Sequence, residues 1–426
     1  MSPGFTAAVY QNEYLADGST DVHAIVTVEC TDAGQAGASG GDAAEAIIVD
    51  CSGSMGEAGV RAAQQAAAAA LDQVTDGTWF AIVAGSHVAQ LLYPDPREAL
   101  MVRMSPLTRE HAKQSLGRLR PEGGTAMGTW IELATRVLTS VPSVTQRHAV
   151  LLTDGKNQHE TPAELDARLH GAVGTFQADC RGVGADWEVG ELRRIAQALM
   201  GTVDLIPRPE QMAAEFAAIM QTSMGRGVAA ADLRVWAPQG GQVLFVRQVA
   251  PSVEDLTPRR TEVNPLTGAY PTGSWGDESR DFHVAVRLPA SRGLGQEQLA
   301  ARVQLVVGDE VQAQGLVKAR WTDDSALSAK INPEVAHYTG QTELAQAIQD
   351  GLAAKAAGDD RTATAKLGRA AQLAAETGNE EATSKLRKVV DIDEPATGKV
   401  RLKKAVDKLD EMALDTASTK TTRVKR

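Results

Sequence analysis

The chain has 426 residues, enough for two or three domains with buried cores. It carries 43 Lys and Arg against 54 Asp and Glu, and this net charge of −11 disfavours binding to nucleic acid or anionic membranes. Three cysteines cannot all pair within one chain, which excludes a disulfide scaffold. The first residues do not resemble a secretory signal, and no apolar stretch reaches the ~20 residues that span a membrane. We therefore expect a cytoplasmic protein.

Residues 1–41 predict two β-strands and a linker. Residues 6–10 and 22–30 alternate in the β manner, with a turn at Asp17-Gly18 between them. Residues 33–41 are rich in Gly and Ala and lack large apolar side chains for packing. Two strands are unstable alone, so we expect them to join a sheet that forms later in the chain.

Residues 42–226 predict an α/β domain in which short apolar strands alternate with helical segments. The predicted strands are residues 46–49, 79–83, 88–92, 148–152, 176–183 and 203–206. The predicted helices are residues 60–74, 109–119, 126–138, 162–173, 188–200 and 209–220. This alternation is typical of a doubly wound, mostly parallel, Rossmann-like sheet that is covered by helices on both faces. The segment 88–92 follows too closely for a crossover helix and predicts a hairpin partner.

Residues 227–335 predict a β-sandwich, and residues 336–415 predict a helical bundle. The strands expected in the sandwich are residues 233–237, 242–249, 281–288, 301–307 and 311–321. If the N-terminal strands join it, the α/β domain is an insertion into the sandwich. The helices expected in the bundle are residues 342–357, 361–376, 380–390 and 400–414. Residues 416–426 have no apolar period and predict a flexible basic tail.

Oxygen-bearing side chains follow the predicted strands of the α/β domain. The strand 46–49 is followed by Asp50-Cys51-Ser52-Gly53-Ser54, and the strand 148–152 by Thr153-Asp154. Thr125 lies just before a predicted helix. Loops at the carboxyl ends of parallel strands bind ligands, and carboxylate and hydroxyl oxygens suit hard cations such as Mg²⁺ better than Zn²⁺.

This combination resembles the von Willebrand factor A domain with a complete metal-ion-dependent adhesion site. The family pattern is Asp-x-Ser-x-Ser, then a Thr, then an Asp, and the five matching positions are Asp50, Ser52, Ser54, Thr125 and Asp154. The resemblance covers somewhat under half of the chain. It implies that the three hydroxyls contact the metal directly and that the two carboxylates act mainly through bound water.

The resemblance implies a protein-interaction module in which Mg²⁺, or alternatively Mn²⁺ or Ca²⁺, binds an Asp or Glu side chain of a partner protein. We expect no enzyme activity. A metal-assisted hydrolase at the same oxygens and a structural scaffold with an idle site are the alternatives. No His or Glu is placed by the sequence as a general base, and the histidines of the domain are more often structural. Cys51 is expected to point into the core.

The C-terminal tail suggests a second binding function. Residues 399–426 carry nine Lys and Arg against four Asp and Glu. Thr419, Thr421 and Thr422 stand among these basic residues, a context that a basophilic kinase could read. Phosphorylation there would create an anion for an Arg-bearing partner such as a forkhead-associated domain. The alternative is a solvated basic helix face with a frayed end.

Overall fold

The computed structural model describes residues 3–34, 42–289 and 293–424. Its strands are β1 (Gly4–Gln11), β2 (Tyr14–Ala16), β3 (Asp21–Thr31), β4 (Asp42–Asp50), β5 (Trp79–Gly85), β6 (Ala89–Tyr93), β7 (Val102–Arg103), β8 (Val144–Thr153), β9 (Gln177–Val183), β10 (Val203–Ile206), β11 (Val228–Trp236), β12 (Gln242–Ala250), β13 (Glu254–Asp255), β14 (Thr261–Asn264), β15 (Thr267–Trp275), β16 (Glu278–Arg287), β17 (Glu297–Val307), β18 (Glu310–Thr322), β19 (Val390–Glu394) and β20 (Lys399–Leu402). Its helices are α1 (Gly56–Gln73), α2 (Pro106–Leu116), α3 (Met127–Thr139), α4 (Pro162–Ala172), α5 (Val189–Ala198), α6 (Met212–Met224), α7 (Ser325–Ser328), α8 (Pro333–Ala356), α9 (Asp360–Glu376), α10 (Glu380–Val389) and α11 (Lys408–Ala417). Most of the predicted linker, from residue 35 to residue 41, lies outside the described residues.

The chain divides into two compact units. Unit 1 contains Met1–Pro3, Asp32–Ala229 and Gly273–Gly276. Unit 2 contains Gly4–Thr31, Ala230–Thr272 and Asp277–Arg426. In the sequence, most of unit 1 lies between the first segment of unit 2 and its later segments.

The central sheet of unit 1 is mostly parallel, as predicted. Its strand order is β10-β9-β8-β4-β5-β6, with β7 also paired to β5. Strands β10, β9, β8, β4 and β5 run parallel, whereas β6 and β7 are antiparallel to β5. Strand β4 is buried from Ala43 to Asp50. Helices cover both faces of such a sheet, so its central strands are continuous apolar runs in the sequence.

Helix α1 packs on this sheet through alanines. Ala63, Ala67 and Ala70 are fully or almost fully buried and share a core cluster with Ile47 of β4 and Met220 of α6. Alanine has the highest helix propensity and little bulk, so the helix forms readily and lies close to the sheet. Because α1 begins six residues after Asp50, this packing also positions the loop that follows β4.

Two largely antiparallel sheets form the β-rich part of unit 2. Their strand orders are β1-β3-β16-β12-β13 and β14-β15-β11-β17-β18-β2. Strand β3 pairs with β16 from Asp21 opposite Arg287 to Cys30 opposite Glu278. The N-terminal strands therefore join strands formed late in the chain, as expected. The arrangement of the two sheets as a β-sandwich stays a prediction.

The C-terminal region is helical but differs from the predicted bundle at residues 400–414. Residues 399–402 form strand β20, which pairs with β19 around a turn where Gly398 has a φ of 68°. Val400 is buried, and Arg401 forms an ion pair with Asp393 across the hairpin. Helix α11 begins only at Lys408. The side chain of the preceding residue, Asp407, caps its first turn. Apolar and charged residues alternate over residues 400–402, and this pattern indicated a strand that the sequence-based prediction missed.

The predicted flexible tail is instead bonded to the rest of unit 2 over its described residues. Ser418 is buried, and its hydroxyl oxygen accepts a hydrogen bond from Gln349. Lys420 forms a β-bridge with Ser252. Polar groups hold this segment, and a prediction based on the spacing of apolar residues does not detect them. Lys425 and Arg426 lie outside the described residues. None of the described helices is long and apolar enough to cross a bilayer.

Candidate metal site

The predicted metal-site residues come from three loops of unit 1. Strand β4 ends at Asp50 and its parallel neighbour β8 ends at Thr153, so the residues that follow both strands leave the sheet at one edge. Thr125 lies two residues before α3. This edge, at the carboxyl ends of the strands, is where open α/β sheets bind ligands.

Asp50 is a buried carboxylate that two donors hold in place. It is 0% exposed. The backbone N–H of Ser52 donates to Oδ1 at 2.7 Å, and the Thr153 hydroxyl donates to Oδ2 at 2.5 Å. The Thr153 hydroxyl oxygen in turn accepts from the N–H of Gly155 at 3.1 Å. Each carboxylate oxygen can accept a second bond, so Asp50 keeps the capacity to bind a water molecule or a cation.

Two serine hydroxyls and the second carboxylate form a hydrogen-bonded chain. The hydroxyl oxygens of Ser52 and Ser54 are 2.9 Å apart, and the Ser54 hydroxyl donates to Oδ1 of Asp154 at 2.8 Å. Ser52 is buried, Asp154 is half-buried and Ser54 is exposed. The chain therefore runs from the interior to the surface and offers only oxygen atoms as ligands.

Thr125 lies beside this chain at Gly155. A Cβ atom on Gly155 would be 3.0 Å from both Ser54 Oγ and Thr125 Oγ1, and 3.9 Å from Asp50 Oδ2. Oxygens from two of the loops thus surround a glycine that belongs to the third, the loop after β8. A side chain at position 155 would crowd the hydroxyl groups, and glycine leaves that space free.

Backbone hydrogen bonds connect the three loops to one another. The N–H of Gly53 donates to the carbonyl of Gly123 at 2.9 Å, and that of Glu122 donates to the carbonyl of Cys51 at 2.8 Å. From the loop after β8, the N–H of His159 donates to the carbonyl of Thr125 at 3.0 Å. The candidate ligands are therefore fixed relative to one another by main-chain contacts as well as by their side chains.

Two side chains that the sequence did not identify anchor the start of α3. Asn157 Oδ1 accepts the N–H of Met127 at 2.8 Å, and Glu160 Oε1 accepts that of Gly128 at 2.5 Å. These N–H groups have no partner within their own helix. Ala126, the residue before α3, cannot cap the helix with its side chain, and this was the sequence feature that indicated a cap from elsewhere in the chain. Asn157 and Glu160 supply the caps and so help to position Thr125.

The electrostatics of the site favour a cation. Burial raises the pKa of Asp50 to about 6, and the neighbouring charge of Asp154 acts in the same direction. Burial also raises the pKa of Asp154, and the carboxylate of Asp186 adds to that effect. Carboxylates that are poorly solvated and close to each other ionise more readily beside a positive charge.

The donor set fits a hard cation. Among the described residues, no group of three or more His, Cys, Asp or Glu side chains is arranged to hold a metal ion. Hydroxyl oxygens would therefore have to supply a large share of the ligands, which suits Mg²⁺ better than Zn²⁺. Cys51 is no ligand candidate, because its buried thiol donates to the carbonyl of Gly85 and burial raises its pKa to about 12.

The predicted phosphorylation sites are not part of this group. Thr419, Thr421 and Thr422 belong to unit 2. All three are partly buried there.

The mostly parallel α/β sheet, with these loops at the carboxyl ends of β4 and β8, belongs to the class of von Willebrand factor type A folds. The model of the von Willebrand factor type A domain matches residues 46–205, and the model of the von Willebrand factor type A C-terminal domain matches residues 372–418. The chain belongs to the von Willebrand factor type A family.

Relatives with solved structures match the chain over almost its full length. A von Willebrand factor type A protein from Catenulispora acidiphila is 48% identical, with a TM-score of 0.93 over 99% of this chain and 98% of that one. The ArnB paralog VWA2 from Sulfolobus acidocaldarius shares the fold, with 16% identity and a TM-score of 0.59 over 98% of each chain. An uncharacterised protein of Synechocystis is 26% identical over 270 residues, which are 59% of this chain and 60% of that relative.

Proposed function

We propose that this protein is a metal-dependent protein-interaction module with a metal-ion-dependent adhesion site. Five residues would hold the cation: Asp50, Ser52, Ser54, Thr125 and Asp154. The observation that carries the proposal is the approach of Ser54, Thr125 and Asp50 oxygens to one glycine, Gly155. Mg²⁺ is the cation we favour, with Mn²⁺ and Ca²⁺ as alternatives.

The charge of the donor set supports an acidic partner. Three of the five side chains are neutral hydroxyls, and only Asp50 and Asp154 are carboxylates. When bound, the cation would supply a position of incompletely neutralised positive charge to which an outside carboxylate can bind. An Asp or Glu side chain of a partner protein is the ligand that best fits this position. The family commonly mediates metal-dependent protein interactions of this kind.

An interaction module fits the site better than a hydrolase. Among the described residues, the side chains of Asp50, Ser54 and Asp154 form hydrogen bonds with hydroxyl groups and main-chain N–H groups. A hydrolase would need a general base within hydrogen-bond reach of an attacking water molecule. The rings of His87 and His159 pack against Gly123 and Gly124, and among the described residues no His or Glu is hydrogen-bonded to these side chains. We therefore propose a binding function without catalysis.

Isothermal titration with Mg²⁺ and Mn²⁺ tests the metal site. Asp50→Asn keeps the shape of the side chain but removes its charge, so we expect the metal affinity to fall about tenfold or more. Asp72→Asn is the matched control because Asp72 is an exposed carboxylate of the same unit, and it should leave the affinity unchanged. Equal binding by wild type and Asp50→Asn, or no binding by wild type, would overturn the proposed site.

Affinity capture with wild-type protein in Mg²⁺ then tests the interaction. Partners that are retained in Mg²⁺, released by chelator and absent with Asp50→Asn are expected. Partners that chelator and Asp50→Asn both leave in place would instead support the scaffold alternative.

The forkhead-associated partner of a phosphorylated tail is a separate prediction, independent of the metal. Its candidate residues are Thr419, Thr421 and Thr422.

A further inference from the structure

A polar cavity of about 250 Å³ lies in unit 2, between strands β3 and β16, helix α8 and the C-terminal residues. It contains three carboxylates and one guanidinium group. The lining residues are Thr27, Glu29, Ser279, Asp281, Glu334, Tyr338, Arg423 and Val424.

Asp281 is a buried carboxylate prepared to bind a cationic group. It is 4% exposed. The hydroxyls of Thr27 and Tyr338 donate to its two oxygens at 2.6 and 2.5 Å. Nε of Arg423 lies 3.6 Å from Oδ2, and the same guanidinium group donates to the carbonyl of Ser279. A buried carboxylate requires such a counter-charge, so Arg423 is the natural occupant of this position.

The segment that delivers Arg423 pairs with the residues that directly follow β12, where Lys420 forms a β-bridge with Ser252. The N–H of Val253 donates to the carbonyl of Thr419 at 2.7 Å, and the N–H of Thr421 donates to the carbonyl of Pro251 at 3.0 Å. In its sheet, β12 pairs with β16 on one side and with the two-residue strand β13 on the other. Main-chain pairing of this kind is how sheet edges bind extended peptides.

Side chains recognise the two residues before Arg423. The Thr421 hydroxyl donates to the carbonyl of Val249 at 2.7 Å. Gln341, which is 1% exposed, donates to the Thr422 hydroxyl oxygen at 3.0 Å, and a ring nitrogen of His337 lies 2.6 Å from the Thr422 carbonyl. The sequence Thr-Thr-Arg is thus contacted at each of its three positions.

The charges of the cavity favour a more basic occupant than Arg423 alone. Glu29 and Glu334 line the cavity, and no ion pair of either residue is found among the described residues. The sequence continues after Val424 with Lys425 and Arg426, which are both basic. The cavity and the segment are therefore complementary in charge.

We propose that the cavity and the end of β12 form a docking groove for an extended basic segment, and that residues 418–424, the C-terminal strap, are its detachable ligand within the same chain. The contacts that hold the strap from Ser418 onward are mainly hydrogen bonds and one ion pair. They can be exchanged for water or for an identical segment. This inference does not depend on the metal site of unit 1.

Negative charge on the strap would release it. A phosphate on Thr421 would remove the hydroxyl donor to Val249 and add a charge of about −1.5 to −2 two residues before Arg423, on a segment that docks against the cavity carboxylates Asp281 and Glu334. Repulsion by these carboxylates would oppose docking. The predicted phosphorylation and the docked state are therefore mutually exclusive at Thr421.

Binding of a labelled peptide with the sequence of residues 415–426 to the full-length chain tests the groove. In wild type the strap competes at high effective concentration. Arg423→Glu should release the strap, so this variant should bind the peptide about tenfold more tightly than wild type. Lys404→Glu reverses the charge of an exposed lysine in the same region and should bind like wild type. A peptide that itself carries Glu in place of the arginine should bind neither chain.

Hydrogen exchange of the Val253 and Thr421 amides supplies an independent measurement. Both amides should be protected in wild type and lose protection in Arg423→Glu and in Thr421→Glu, and the wild-type peptide should restore protection at Val253. Thr421→Glu keeps the test available if Arg423→Glu fails to fold. Unprotected amides in wild type, or a released strap whose groove does not bind the peptide, would overturn the proposal.

Discussion

Gly155 supplies no ligand, but the geometry of the candidate metal site depends on it. A Cβ atom there would approach Ser54 Oγ and Thr125 Oγ1 to 3.0 Å each. Contacts this short require the hydroxyls to shift by a few tenths of an ångström. The oxygens that would bind the cation would then no longer converge.

Gly155→Ala should therefore weaken Mg²⁺ binding by about tenfold or more while the fold is retained. Isothermal titration measures the affinity, and thermal unfolding checks the fold. Gly171→Ala is the matched control, because a Cβ on Gly171 in α4 meets nothing within 4 Å. Unchanged affinity in Gly155→Ala would show that the hydroxyls of Ser54 and Thr125 are not ligands.

The sequence alone was enough to identify the side chains that belong to the metal-site motif. It was not enough to identify the side chains that position them. Asp50, Ser52 and Ser54 follow one strand in a recognisable spacing. Asn157 and Glu160 have no such spacing, because their role is defined by the start of a helix that lies 30 residues earlier in the sequence for Asn157. Such a role becomes visible only when the two segments are in contact.

At the element scale, a buried ionic network connects three neighbouring strands of unit 1. The ring nitrogens of His148 on β8 lie 2.7 Å from Glu45 on β4 and 3.0 Å from Asp179 on β9. All three side chains are nearly inaccessible to water. The Ser223 hydroxyl of α6 donates to Glu45 at 2.6 Å, and Arg226 lies 4.0 Å from Asp179. The network therefore also attaches the end of α6 to the sheet.

His148 is charged within this network. Burial alone would lower its pKa, but the carboxylates of Glu45 and Asp179 outweigh burial and raise the pKa to about 9. Conversely, burial would raise the pKa of Asp179, but the hydrogen bond and the charge of His148 hold it well below its usual range. The imidazolium is thus more stable in the folded state than in the unfolded chain, where its pKa is near 6.5.

The free energy of unfolding of unit 1 should consequently depend on pH above neutrality. The stabilisation by His148 is fully present below pH 6.5 and is lost as the pH rises through about 9, because the folded state then releases the proton. Denaturant unfolding between these two pH values measures the loss. His148→Gln should be less stable and should lack this dependence. His87→Gln changes an exposed histidine of the same unit and should keep it; a wild type without the loss would contradict the prediction.

Element types were predictable where the apolar period was long. The parallel strands of unit 1 and helix α9 follow directly from such patterns, whereas α8 was predicted only from residue 342 although it begins at Pro333. Residues 400–402 were assigned to a helix because three alternating residues are too few to outweigh the helical sequence that follows. Strand β15 was missed because Gly268, Pro271 and Gly273 interrupt its apolar pattern, and β14 was missed because all four of its residues are exposed and give no apolar alternation.

At the scale of the whole molecule, residues far apart in the chain complete unit 2. Strand β1 contributes Val9, and a Cβ on Gly315 of β18 would come within 2.6 Å of Val9 Cγ2 and 3.6 Å of Val26 Cγ1. Gly315 belongs to one sheet, and Val9 and Val26 belong to the other. The two sheets are therefore in close contact at this glycine, and the contact joins the first and last parts of the β-rich sequence.

Gly315→Val should destabilise unit 2 by about 1–3 kcal/mol, because the added methyl groups overlap with Val9. The free energy of unfolding in urea measures the change. Val9→Ala alone should also be destabilising, but combined with Gly315→Val it should recover part of the loss by providing space. Additive effects of the two substitutions would contradict the contact.

The sequence by itself was enough to predict the α/β class, the loops that follow the parallel strands and the five candidate ligands. Local apolar patterns and a short motif carry this information. Tertiary structure alone decided which residues brace those ligands, that β3 pairs with β16, and that the C-terminal strap is docked. Each of these depends on hydrogen bonds or side-chain contacts between residues that are distant in the chain. A buried carboxylate such as Asp281 gives no local signal of the arginine that it binds, since the two are brought together only by the completed fold.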